Sequence, residues 1–182
     1  GKLLILPNGG IIDMTQPLPG SEEETPTNTT TPKTDKPTAQ LFVMSFCPYG
    51  VQAENTMKPV VDLLGSKADI GIHFIANVQG TTSDSVQSLH GAPEAMEDLR
   101  QVCIMKFYDQ KTYWKYLMDI NANCYPKYSD SAAYDTCWKD AANKAGIDTA
   151  KIDTCSKTSV GVDLLKADGQ LTSQYGVSGS PT

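Results

Sequence analysis

The segment from Leu41 to Val78 most restricts what this chain can fold into. Leu41-Phe42-Val43-Met44-Ser45-Phe46 is a nearly continuous apolar run, the pattern of a buried strand. Cys47-Pro48-Tyr49-Gly50 follows with no spacer. Val51 to Leu64 then sets Met57, Val60, Val61 and Leu64 on one helical face, and Gly65 supplies a stop. Ile70 to Val78 alternates, with Ile70, Ile72, Phe74 and Ala76 inward and Gly71, His73 and Ile75 outward. That is a second strand, on which His73 is expected to be solvated. The order strand, helix, strand requires a right-handed crossover and a parallel pair. The expected class is α/β.

A mostly helical stretch follows. From Pro93 to Ile120, Met96, Leu99, Cys103, Phe107, Gln110, Trp114 and Leu117 recur at steps of three or four, a long amphipathic helix with room for one break. Tyr113, Trp114 and Tyr116 read as core with one exposed ring. Ser129-Asp130 is a helix start and Gly146 its end; Asp148 starts the next helix, through Cys155. Val160 to Tyr175 is helical again, with Val162, Leu164 and Leu165 apolar.

Residues 1–40 stand apart. They hold 6 of the 11 prolines and 8 threonines, and residues 21–40 carry no large apolar side chain. Such composition cannot offset chain ordering and reads as a stalk or linker. Asn28-Thr29-Thr30 is a glycosylation sequon. Leu3 to Leu6 and Ile11-Ile12 flank Pro7-Asn8-Gly9-Gly10, a small hairpin that needs a sheet edge to be stable. Self-association through residues 3–12 is therefore a candidate contact. The folded domain is expected over 41–182. The net charge of −6 argues against a nucleic-acid partner, and no run of 18 apolar residues suits a membrane span.

The five cysteines include no C-x-x-C pair, and with two histidines they do not suggest a metal site. In an oxidising compartment five reads as two bridges and one free thiol. If residues 103–120 are helical, Cys103 and Cys124 lie about 30 Å apart, too far for a bridge. Cys103 with Cys137 is strained in an antiparallel helix pair. Cys124 with Cys137 closes a short loop, which leaves Cys103 with Cys155. Four reduced core cysteines are the alternative, disfavoured by the linker and sequon, which point outside the cytoplasm.

Cys47 is then the free thiol. It sits between a strand and a helix whose first residue, Pro48, has no N–H to leave unpaired. The free N–H groups and dipole of that helix favour a thiolate there, able to attack a disulfide. A small buried hydrophobe is the alternative role for such a cysteine. Ser180-Pro181-Thr182, after a Gly-Val-Ser-Gly loop, is a candidate cis peptide, because X-Pro bonds alone adopt cis at modest cost. An ordinary trans turn is the alternative. Tyr49 reads as a surface residue shaping partner contact. His90 reads as a packing or capping residue of the long helix.

Strand, Cys-Pro-Tyr-x, helix, strand, helical insertion (about 82–158), then Gly-Val-x-Gly-Ser-Pro-Thr resembles the thioredoxin superfamily in its disulfide-oxidoreductase branch. Ser88-Leu89-His90-Gly91-Ala92-Pro93-Glu94-Ala95, with Cys103 downstream, resembles the signature of gamma-interferon-inducible lysosomal thiol reductases. His90, Gly91, Glu94 and Cys103 match; Ser88 and Ala95 stand at two of its cysteines and Asp98 at its asparagine. The resemblance implies a thioredoxin-like fold, Cys47 as nucleophile, and Pro181 and the Ser180 carbonyl flanking a substrate strand near Tyr49 and Gly50. Gly50 replaces the second, resolving cysteine. The superfamily fold also has a strand hairpin and a helix after this proline, expected from further sequence or another chain.

With one thiol, release of a mixed disulfide needs a substrate thiol or an external small-molecule thiol. The expected activity is monothiol exchange with protein thiols or disulfides, as an isomerase or an externally driven reductase, without cofactor. The competing expectation is an inactive thioredoxin-like surface or assembly subunit.

Overall fold

The computed structural model describes residues 36–182 and, before them, the strands β1 (Leu3–Ile5) and β2 (Ile11–Asp13). The chain divides into two units, residues 1–35 and 36–182. In the first, β1 and β2 pair antiparallel with Leu3 opposite Asp13 and Ile5 opposite Ile11. Of residues 1–40, read as a stalk, 14–35 with the Asn28 sequon lie outside the described residues, whereas Thr38 to Gln40 open a strand of the second unit, which starts at Lys36 and not at Leu41.

In the second unit β3 (Thr38–Val43) runs parallel to β4 (Asp69–Phe74), with Thr38 opposite Asp69 and Val43 opposite Phe74. Helix α1 (Pro48–Leu64) makes the crossover. The sheet gains a further contact from the far end of the chain. Thr182 donates its N–H to Phe42 O at 3.0 Å and accepts from Phe42 N at 2.9 Å, a reciprocal antiparallel exchange. This draws Pro181 up to the end of β3 that carries Cys47.

The first strand run read from sequence lies three residues earlier here, at Thr38–Val43, and the second is shorter. β3 ends at Val43, and residues 44–47 turn away, closed by the Cys47 N–H donating to Met44 O at 3.0 Å. β4 ends at Phe74, whose N–H goes to the Asp168 carboxylate at 3.0 Å. Asn77–Val78 (β5) pairs antiparallel with Val86–Gln87 (β6). Apolar pattern marked the buried residues but not where the ladder stops.

The insertion is built of α2 (Ala92–Phe107), α3 (Gln110–Asp119), α4 (Ser131–Ala145) and α5 (Thr149–Ser156), and α6 (Ser159–Gln174) returns to the sheet. Short acidic side chains start three of these helices. Asp109 accepts from Thr112 N, Asp130 from Ala132 N and Ala133 N, and Asp148 from Ala150 N and Lys151 N, satisfying otherwise unpaired helix N–H groups. Gly146, with φ of 82°, ends α4 in the left-handed conformation that glycine adopts without strain. The break between α2 and α3 falls at Tyr108-Asp109. After α3 a π turn (Ile120–Cys124) and a 3-10 turn (Tyr125–Lys127) lead to α4.

Two disulfides staple these helices. Cys103 on α2 bonds Cys155 on α5, and Cys124 bonds Cys137 on α4. A Cβ on Gly161 would stand 2.7 Å from Cys155 O and 3.2 Å from the Cys103 sulfur. Only glycine lets α6 pass this close to the first bridge.

Three packing expectations are corrected. Val60 is 40% exposed, because α1 turns Val51, Glu54 and Val61 inward instead. Tyr113, Trp114 and Tyr116 are all buried. His73 is not solvated: its Nδ1 lies 2.8 Å from Asp168 Oδ1, with the side chain 18% exposed. A parallel sheet is covered on both faces, and α6 covers the face that looked outward.

Candidate functional site

Cys47 is the free cysteine, partly exposed, at the N-cap of α1. Pro48 begins the helix. The Cys47 sulfur lies 3.5 Å from Ser180 O, and the Ser180–Pro181 peptide bond is cis. Residues 47, 48, 180 and 181 therefore meet at one point, though more than 130 positions separate the two halves. Tyr49, 68% exposed, stands beside them. An open groove of about 510 Å³ runs from Tyr49 along α1, lined by Leu41, Met57, Val60, Ser180 and Pro181. The walls beside the free thiol are mostly apolar.

Gly50 fits its place through lack of a side chain. A Cβ there would stand 2.9 Å from Ser180 Oγ, 3.1 Å from Met44 O and 3.5 Å from the Cys47 Cβ. The Ser180 hydroxyl accepts the Met44 N–H at 3.0 Å and so fills the space beside Gly50.

The turn that carries the thiol is also gripped from the insertion. The Phe46 N–H donates to Glu94 Oε1 at 2.7 Å, and Ser45 Oγ donates to Asp98 Oδ1 at 2.6 Å. Both carboxyl groups come from α2 and both residues have 0% exposure. Glu94 also accepts from His90 N at 3.0 Å, and its Oε1 lies 2.8 Å from His90 Nδ1. Asp98 takes a second bond, from Ser88 Oγ at 2.8 Å. Burial pushes the Asp98 carboxyl well above the ordinary carboxylate range, and the nearby Glu94 charge adds to that. Its partners are hydroxyls, which can reverse and accept from a protonated carboxyl. The sequence reads His90 as a packing or capping residue at the start of this helix and places Glu94 in a signature, without joining either to the turn that carries Cys47. In the sequence, Glu94 and Asp98 carry no signal that separates them from a solvated helix face.

Other buried charge lies farther along α1 and α2. Glu54, 1% exposed, accepts from Asn121 Nδ2 at 2.7 Å across the π turn. Burial pushes its pKa up to about 8, with the Asn121 hydrogen bond opposing and Glu97 adding. Glu97 is raised by its own burial, against the pull of Arg100 and the Tyr116 hydroxyl. The Arg100 guanidinium lies 4.4 Å over the Trp138 ring, which adds a cation–π contact to that pair.

The helical part of the chain settles the family. Residues 76–177, more than half of the sequence, match the family model of the vacuolar sorting receptor thioredoxin-like domain. The chain belongs to that family. The match covers the insertion and α6, and stops short of Cys47 on one side and Pro181 on the other. Among solved structures, a candidate protein disulfide isomerase from Nitrosomonas europaea superposes with a TM-score of 0.58 at 13% identity, over 80% of this chain and 82% of that one. The oxidoreductase NmDsbA1 from N. meningitidis gives 0.49 at 12% identity, over 82% and 70%. Among curated proteins none matches. The architecture is a thioredoxin-like fold with a helical insertion.

Proposed function

We propose that this chain is an extracytoplasmic thiol–disulfide exchange domain that acts on protein thiols and disulfides through one nucleophile, Cys47. The observation that carries the reading is the unbridged Cys47 sulfur, 3.5 Å from Ser180 O at the start of α1, beside an apolar groove. The other four cysteines are bridged, which supports an oxidising compartment. The likeness of His90, Gly91, Glu94 and Cys103 to lysosomal thiol reductases supports the same chemistry, as does the disulfide isomerase in the name of one structural neighbour.

In the proposed reaction the Cys47 thiolate attacks one sulfur of a partner disulfide. A Cys47–partner bond forms, the partner's S–S bond breaks, and the other partner sulfur leaves as a thiolate. A different partner thiolate then attacks the partner sulfur of the mixed bond, forms a new partner disulfide and expels Cys47 as thiolate. The partner is rearranged with no net redox change. An external small-molecule thiol attacking at Cys47 instead releases the partner reduced, and a second such thiol regenerates Cys47. Gly50 supplies no internal thiol for either release. Tyr49, Ser180 and Pro181 line the approach.

The test is incubation with glutathione disulfide followed by intact mass, then reactivation of scrambled ribonuclease in a glutathione buffer. One glutathione adduct on Cys47 and a reactivation rate that Cys47→Ser abolishes are expected. No adduct on the folded protein overturns the reading. The second reading is a binding domain without turnover, joined to a neighbour through residues 3–12. The receptor in the family's name favours it, and it predicts an adduct without reactivation.

A further inference from the structure

Four residues, Met44 to Cys47, separate the last ladder residue of β3 from the first residue of α1. Nothing in the sheet holds them. Met44 is held by Ser180, and the two residues between it and the thiol are held by α2, from 48 and 53 positions away. The Glu94 bond is made to the main-chain N–H directly preceding Cys47. All three groups that Glu94 meets, Phe46 N, His90 N and the His90 ring, can supply N–H donors, a set that an ionised carboxylate satisfies fully. The His90 ring, with 28% of its side chain exposed, covers Glu94 from the solvent side.

We propose that Glu94 is a positioning residue for the Cys47 thiol, fixing from the insertion helix the turn on which the sulfur sits. The proposal rests on the reading of Cys47 as nucleophile. A neutral helix side chain would serve packing equally well at a buried site and would avoid desolvating a charge. A carboxylate placed on this one N–H fixes the direction of the chain as it enters α1. Misplacing a reacting atom by about 1 Å can cost as much as a hundredfold in rate.

The experiment uses the whole chain and the chromogenic disulfide 5,5′-dithiobis(2-nitrobenzoate). The Cys47 thiolate attacks one probe sulfur, the probe S–S bond breaks, and the coloured aryl thiolate leaves. The amide proton of Phe46 is followed by NMR in the same variants. Glu94→Ala removes every acceptor, and a rate about tenfold slower is expected, with the Phe46 amide shifted upfield. Glu94→Gln keeps one oxygen for that N–H, and is expected to recover the rate to within about threefold and most of the amide shift. Ser45→Ala, which frees the turn from Asp98 and leaves α2 intact, is expected to slow the reaction severalfold and serves if Glu94→Ala fails to fold. Rates in Glu94→Ala and Ser45→Ala equal to wild type, or a Gln variant as slow as the Ala variant with its amide unmoved, overturn the proposal. A wild-type Cys47 inert to the probe overturns the function reading, and this proposal with it. A reactive wild type with indifferent variants overturns this proposal alone.

Discussion

Glu54→Gln tests whether the buried polar face of α1 is a protonated carboxyl at neutral pH. Glutamine keeps the shape and an oxygen for Asn121, and removes the proton. Burial lifts Glu54 from an ordinary value near 4.5 to about 8, so the folded state holds its proton more tightly than the unfolded state. The stability this contributes is fully present below about pH 4.5 and is lost as pH rises toward and through about 8. Each pKa unit is worth about 1.4 kcal/mol, so the wild type should lose about 3 kcal/mol between pH 5 and pH 8 on account of this one group. Asp98 and Glu97, also raised, add a loss of the same sign, but it is common to both proteins. The difference between wild type and Glu54→Gln therefore reports Glu54 together with its coupling to Glu97. Urea unfolding at pH 5, 6, 7 and 8 with disulfides intact supplies it. The variant should gain on the wild type by about 1 kcal/mol per pH unit over this range. A difference that stays flat from pH 5 to pH 8 refutes the protonated, buried Glu54.

Two further outcomes follow from packing. Gly50→Ala should destabilise the fold by about 1 kcal/mol net, an overpacking penalty of about 1–3 kcal/mol partly offset by better helix propensity, and Ser180→Ala in the same chain should recover part of the loss. Urea midpoints check this, and a more stable Gly50→Ala refutes it. The two bridges differ in the chain length they close, 52 against 13 residues. Replacing Cys103 and Cys155 by serine should cost roughly 4 kcal/mol and replacing Cys124 and Cys137 roughly 3 kcal/mol on loop entropy. Thermal unfolding of the two double variants tests the order, which a larger loss from the shorter loop would reverse.

What the sequence disclosed was mostly local. Asp130, Asp148 and Gly146 sit at helix ends because a capping oxygen or a left-handed glycine is a property of a few adjacent residues. The β-α-β opening was legible because a strand, a helix and a strand each carry their own period. Charges that serve the interior were not legible. Glu54, Glu94 and Asp98 look like a solvated face until their partners arrive from elements 48 to 67 positions away. His73 failed for the same reason, since alternation says which side a residue takes and not what covers that side. The meeting of Cys47 with Ser180 was anticipated through a family resemblance; spacing alone does not bring positions 47 and 180 together.

The exposures of the five cysteines carry a practical consequence. Cys103 and Cys124 are at 0%, Cys155 at 5% and Cys137 at 9%, while Cys47 is open to solvent in part. A reductant dissolved around the folded protein meets one reachable sulfur and four shielded ones. The scaffold can thus sit in a bath of small thiols that reaches Cys47 and keep its own rivets until the helices come apart.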